Sequence, residues 1–453
     1  MIKNLTQGSP GKVLWSFSMP MLLSVMFQQL YNVVDSVVAG KFVGEDALAA
    51  VGASYPVTMI FMAVATGANV GASVVISRLF GAGENRNMKT AINTSIVSVA
   101  VLSAILTVFG LIFCRPILEA MDTPANIFDG ASVYLEIYIG GLIFLFIYNI
   151  CTGIFTALGD SKTPLYFLIF SSLGNIVLDV VSVTALDMGV AGVAWATFLA
   201  QGVSSILAFV TLFRRLSALS KEKGKLFSLD MLGRISVMAV PSILQQSFVS
   251  VGNIFIQTLV NGYGSAAVAG YSAAVKLNTF AITSFTTLSS SMSNFTSQNI
   301  GAGELKRVRQ GFRTGMIMIM CVALPFVIAF VFFGEPMIRL FVDSPTQTAI
   351  DTGTTFLVIV APFYFMAAAK QIADGILRGA GAVLGFVTST FSDLLLRVVL
   401  AIVFSKPLGM GSTGIWLAWP VGWMISGVYS LICYFSGMWV SHAKKQMADA
   451  ASD

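Results

Sequence analysis

The sequence predicts an all-α polytopic membrane protein, with twelve transmembrane helices in two six-helix lobes. Three observations carry that prediction. Charged residues make up 10% of the 453-residue chain and its mean hydropathy is +0.84, whereas a soluble chain carries about 25% charged residues. Apolar runs long enough to cross a bilayer, roughly 20 residues each, recur along the whole chain without the alternation that barrel strands need. The second half of the chain also repeats the first. A soluble multidomain enzyme and a single-span anchor are both excluded.

The spans are expected near 13–39, 47–77, 91–114, 131–157, 163–186, 188–213, 236–261, 266–300, 314–333, 353–377, 383–405 and 412–438. Several exceed the minimum and would tilt or extend past the bilayer. The first run follows a short polar stretch, MIKNLTQGSPGK. It is too long for a signal-peptide core and shows no small-residue cleavage site, so it is expected to stay as the first helix. With the N-terminus inside, the inner loops collect 19 Lys and Arg, the outer loops 4, and the spans 3. That bias places both termini in the cytoplasm and the protein in the plasma (inner) membrane. It also accounts for the net charge of +5 and the pI near 9.0 without a nucleic-acid partner. The basic stretch Arg214–Lys225 reads as a cytoplasmic linker near anionic lipid.

The repeat is clearest where GAGENRNMKTA (81–91) matches GAGELKRVRQG (301–311), an offset of 220. The same offset pairs ALAAVGAS (47–54) with AVAGYSAA (267–274), and Gly159 with Gly379. Pro20 pairs with Pro241 at 221, and Gly189 and Gly192 with Gly411 and Gly414 at 222. The expected organisation is an N-lobe at 1–213, a linker at 214–234, and a C-lobe with its tail at 235–453. Six spans per lobe is an even number, so both lobes share one orientation about a pseudo-twofold axis along the membrane normal, as in parallel-repeat transporters. That architecture points to a transporter more than to a channel or scaffold.

Enzymatic chemistry finds little support. The cysteines Cys114, Cys151, Cys321 and Cys433 are scattered, and the sole histidine is His442. Neither a metal motif nor a phosphate-binding loop is present in the sequence. No cofactor is expected, and ion gradients are the expected energy source.

The charges inside the spans are informative, because an ionisable side chain there is costly unless it is paired or hydrated. Asp393 with Arg397, and Lys370 with Asp374, lie four residues apart and can pair within their helices. Asp35 and Asp179 have no basic residue within a helical turn. Asp35 lies about 6 Å, and Asp179 about 10 Å, below the outer ends of the first and fifth helices. Asn175 shares a face with Asp179, and Thr197 on the sixth helix reaches a similar depth. Two carboxylates, an amide oxygen and a hydroxyl suit Na+ or a shared proton. The alternative is that Asn175 and Thr197 only bond neighbouring helices.

The stretches PMLLSVMFQQLYNVVD (20–35), LGNIVLD (173–179) and GVAGVAWAT (189–197) resemble the multidrug and toxic compound extrusion (MATE) family. The resemblance covers essentially the whole chain, and is nearer to the DinF-like and MepA-like types than to the NorM type. It implies a V-shaped, monomeric twelve-helix antiporter in membrane lipid, exporting small lipophilic cations in exchange for H+ or Na+. Carried over by position, the cation network is Asp35, Asn175, Asp179 and Thr197, with the Val193 carbonyl as a further ligand. Gln28 would adjoin it, and Pro20 would let the first helix bend when the aspartate changes state. The acids of a NorM-type C-lobe site fall instead near Phe248 or Val249 and on Ala368. Lys276 brings a positive charge to the C-lobe with no assigned role. Expected substrate contacts are Gln28, Tyr31, Asn32 and Asn149 in the N-lobe, and Gln245, Gln246, Asn278, Phe285 and Met292 in the C-lobe. The rival readings are a lipid-linked precursor flippase of the same superfamily and a passive channel.

Overall fold

The computed structural model describes residues 2–42, 45–340 and 346–452, without the side chains of 32–48 and 449–452. The described residues are helical and contain no strand. In chain order the helices are α1 (Pro10–Phe42), α2 (Glu45–Gly81), α3 (Asn85–Ala120), α4 (Ala125–Gly140), α5 (Leu142–Ala157) and α6 (Lys162–Val180). A π-helical turn (Val181–Ala185) follows, then α7 (Gly189–Leu219), α8 (Leu229–Asn261), α9 (Ser265–Gly301), α10 (Leu305–Arg339) and α11 (Gln347–Val360). The chain ends with α12 (Tyr364–Gly379), α13 (Val383–Ser405), α14 (Gly411–Phe435) and α15 (Met438–Ser452).

Among the described residues, ten helical segments are long and apolar enough to cross a membrane. The α4–α5 pair, bent by 49°, makes an eleventh. The remaining expected span is α9, whose 37 residues give ample length but whose many Ser, Thr and Asn lower its apolarity. Two spans expected to be continuous are broken. Between α4 and α5 the glycine pair Gly140–Gly141 offers the weakest helix propensity short of proline. Between α11 and α12 a short 3-10 turn, Ala361–Phe363, holds Pro362, which has no N–H for a helical bond. The breaks are repeat equivalents, at an offset of 221 between Gly141 and Pro362.

Backbone geometry sharpens the repeat. Gly83 and Gly303 close the turns after α2 and α9 with φ of 76° and 78°, a left-handed conformation that glycine adopts without steric cost. The Glu84 N–H then donates to Leu79 O at 3.0 Å, and the Glu304 N–H to Asn299 O at 2.8 Å. Gly159, however, pairs with Gly381 and not with Gly379. Its φ of 76° matches 72° at Gly381, and the next N–H donates to Phe155 O or Leu377 O at 2.8 Å in either half. Gly379 is an ordinary helical residue packed on Ser293 O. From this turn onward the offset is therefore 222.

The chain forms two compact units: Met1–Asn4 with Leu23–Ile243, and Leu5–Leu22 with Leu244–Asp453. In the first, α2 packs on α3, α4 and α5, and α7 on α4, α5 and α6. Its core includes Phe61, Ile76, Ile92, Phe146, Ile154 and Phe155. Gly67 and Gly71 let α2 meet α8 closely, since a Cβ at either would lie 2.5 Å from Ile243 or Ala239. The connection 220–228 lies along α3: Lys89 Nζ donates to Ser220 O at 2.6 Å, and the Lys225 N–H donates to Thr90 Oγ1 at 3.0 Å. The second unit packs α9 on α10, α11 and α12, and α13 on α14. Its aromatic core stacks Tyr271 on Trp416 at 4.9 Å and sets Phe356 edge-on to Trp416 and Trp419.

Candidate functional site

The first unit builds a buried polar site around α6, and both ends of that helix are fastened. At its start, the Thr163 N–H and hydroxyl donate to the Asp160 carboxylate at 3.2 and 2.9 Å. Arg215 of α7 forms an ion pair with the same carboxylate and lies over the Phe155 ring. At its far end, directly after Asp179, the π-helical turn adds a residue to the winding, and the Leu186 N–H donates to Val181 O at 3.2 Å. Gly192 of α7 fits against this turn, where a Cβ would lie 3.0 Å from that of Ser182. The segment of α7 carrying Val193 and Thr197 is thereby held against the part of α6 that carries the acid. Single π-turns of this kind often accompany functional positions.

Asn175 and Asp179 are one turn apart on α6 and buried, at 3% and 1% exposure. Val193 is buried and Thr197 half-buried. The Tyr31 hydroxyl of α1 donates to Asn175 Oδ1, while Asn175 Nδ2 is buried with no hydrogen-bond partner among the described residues. Asp35 belongs to α1, but its side chain and that of Asn32 lie outside the described residues. Its register is still informative. Asp35 follows Tyr31 by four residues, as Asp179 follows Asn175. By register, Asp35 on α1 and Asp179 on α6 each follow by one turn a residue of the Tyr31–Asn175 bond.

The second unit treats its charges differently. Lys370 and Asp374 pair at 2.7 Å, and Arg397 and Asp393 at 2.8 Å, all four buried. Ser430 donates to the other oxygen of Asp374 at 2.6 Å. Arg397 lies over the Trp419 ring at 4.1 Å. By the offset of 222, Arg397 corresponds to Asn175, Trp419 to Thr197 and Ala401 to Asp179. Where the first half carries Asn175 and Asp179 one turn apart on α6, the second half holds a tethered guanidinium on an aromatic face.

The expected substrate residues separate in the structure. Gln28 and Gln246 are exposed, and Pro20 is buried within α1. Asn149 is half-buried and bonds its own helix at Leu145 O, 2.8 Å. Gln245 donates to Thr390 at 2.6 Å. Three of the expected contacts are enclosed and offer no surface to a solute. Asn278 accepts from the Tyr364 hydroxyl at 2.8 Å, while Phe285 and Met292 have 0% exposure because α9 turns this face into the core. Tyr31 is tied to Asn175. The Asp160–Arg215 clamp escaped sequence reasoning, since residues 55 positions apart share no local spacing.

The sequence pattern of the MatE family matches residues 20–181 and 241–403. The chain belongs to the MATE family. It is 30% identical over 438 residues to "Probable multidrug resistance protein YpnP" of Bacillus subtilis, covering 96% of this chain and 97% of the relative. To YoeA of the same organism, likewise named a probable multidrug resistance protein, it is 28% identical over 440 residues, covering 95% and 94%. A solved MATE transporter in an outward-facing conformation shares the fold with a TM-score of 0.91 at 23% identity, covering 97% of this chain and 98% of its own. MATE proteins are transporters and not enzymes, so this chain is an integral multi-pass membrane transporter of the multidrug efflux family.

Proposed function

We propose that the protein is an antiporter that exports small lipophilic, mostly cationic compounds in exchange for H+ or Na+. Asp35 and Asp179 carry the coupling ion, with Asn175, Thr197 and the Val193 carbonyl as further oxygen ligands. The observation that carries this reading is the Tyr31–Asn175 bond, which draws α1 and α6 together one turn from each acid. Support also comes from the burial of Asp179 and from the multidrug resistance names of the relatives. The second half, with Arg397 at the equivalent position, holds no exchangeable cation of this kind. Gln28 and Gln246 remain as substrate contacts, and Pro20 as the bending point of α1. The protein works as a monomer in the plasma membrane, with both termini in the cytoplasm.

Outside, the acids take up the ion, and their neutralisation weakens the hold on a cationic substrate. Substrate leaves, access alternates, and the ion escapes inward as new substrate binds. Linkage requires substrate to weaken ion binding by the same factor. Asp35→Asn and Asp179→Asn proteins are expected to reach the membrane yet lose gradient-driven dye efflux in proteoliposomes. Efflux at the wild-type rate from both would refute the assignment. Imposing a pH or a Na+ gradient separately identifies the coupling ion, and counterflow distinguishes an exchanger from a passive pore.

A further inference from the structure

Arg309 and Arg313 are exposed on α10, one turn apart and about 6 Å along the helix. Neither makes a hydrogen bond or an ion pair with a described residue. Their neighbour Arg307 behaves otherwise: it donates to Gly8 O at 2.7 Å, Leu5 O at 3.2 Å and Asn299 Oδ1 at 2.8 Å. The helices around the pair supply no acid, since α10 has none before Glu335 and α14 has none at all.

The repeat shows what these two positions hold elsewhere in the fold. At the offset of 220, Arg309 corresponds to Lys89 and Arg313 to Asn93. Lys89 Nζ donates to Ser220 O and Glu222 O at 2.6 and 2.9 Å, and Asn93 Nδ2 donates to Lys225 O at 3.0 Å. In the first half the pair therefore grips three peptide oxygens of the connection that leaves α7. In the second half the chain leaving α14 turns at Gly437, with φ of 79°, into α15, which packs on α9, α12 and α14. Stronger donors thus stand at the same two positions, and no peptide oxygen receives them.

The surroundings differ between the halves as well. Phe312, between the arginines in sequence, stacks on Tyr434 at 3.8 Å, and Tyr434 stacks on Trp439 at 6.0 Å. Both guanidinium groups lie within electrostatic reach of Tyr434. Phe435, edge-on to Phe312, is 73% exposed. The first half has Ile92, Leu212 and Ser217 where the second has Phe312, Tyr434 and Trp439. Arginine forks match the oxygens of a phosphate, and exposed aromatic rings beside basic residues suit the boundary between headgroups and acyl chains.

We propose that Arg309 and Arg313 bind the headgroup phosphate of an anionic phospholipid whose acyl chain lies against Phe435. The lipid takes, on the second half, the place that the connection 220–228 takes on the first. A free phosphate ion would leave Phe435 uncovered, which favours the lipid as occupant. The topology proposed above puts this lipid in the inner leaflet, but neither the coupling ion nor the transported substrate enters the argument.

Native mass spectrometry of the full-length protein tests it, with phosphatidylglycerol set against phosphatidylcholine of the same acyl chains. The wild type is expected to retain one phosphatidylglycerol about 10-fold more tightly than phosphatidylcholine. Arg309→Gln combined with Arg313→Gln should erase that preference. Lys221→Gln combined with Lys223→Gln, which removes the same charge from exposed positions of the connection, should leave it intact. All four side chains are exposed, so each double variant should unfold at the wild-type temperature in lipid-free detergent. The proposal is overturned if the arginine variant keeps the preference, if the lysine variant loses it equally, or if excess inorganic phosphate displaces the lipid.

Discussion

At the scale of single residues, the polar groups that matter are those the fold withdraws from water. Tyr31 links α1 to Asn175, and a hydrogen bond of this kind contributes about 1 kcal/mol. Tyr31→Phe is therefore expected to weaken coupling-ion affinity about fivefold, seen as a higher H+ or Na+ concentration for half-maximal dye efflux. An unchanged half-maximal concentration would mean the bond is incidental. Asp160 is nearly sealed and Arg215 about one-third exposed, at 1% and 33% of their side-chain surfaces. Arg215→Ala removes the countercharge of that carboxylate and should cost about 2 kcal/mol, less than a fully buried pair because water reaches the arginine. Thermal unfolding in detergent measures it, and Asp160→Asn combined with Arg215→Ala should recover part of the loss. The in-span acids were legible in the sequence because charge is so scarce there. Arg215 was not: a base in a basic stretch looks like any other, and its partner lies 55 residues away.

Helices and turns bring a different kind of constraint. Gly71 faces Ala239 so closely that a Cβ would lie 2.5 Å from the alanine methyl, so Gly71→Val must push α2 off α8. Gly83 has nothing within 4 Å and a φ of 76°, so Gly83→Ala is strained only in its own backbone, by about 1 kcal/mol. The expected ranking in thermal unfolding is a large loss for Gly71→Val and a small one for Gly83→Ala, and the reverse order would discredit the packing account. Hydropathy reveals the spans because apolarity is summed over about 20 residues. For the same reason it hides the breaks at Gly141 and Pro362, since one or two residues barely alter the sum. It also leaves undetermined which way an apolar helix faces, which is how Phe285 and Met292, buried in the core, came to be expected at a substrate cavity.

For the whole molecule, duplication gives two halves of the same build and unlike chemistry. The turn glycines keep the repeat visible in sequence and backbone, whereas Asn175, Asp179 and Thr197 in the first half answer to Arg397, Ala401 and Trp419 in the second. A fixed guanidinium over Trp419 cannot be exchanged, so the account confines ion coupling to the first half. The most direct test is to titrate purified wild-type protein with a cationic dye while recording H+ release in weak buffer and displacement of tracer Na+. The account predicts that dye binding releases one of these ions from the wild type, and that Asp35→Asn and Asp179→Asn each abolish the release. Undiminished release from both variants would contradict it.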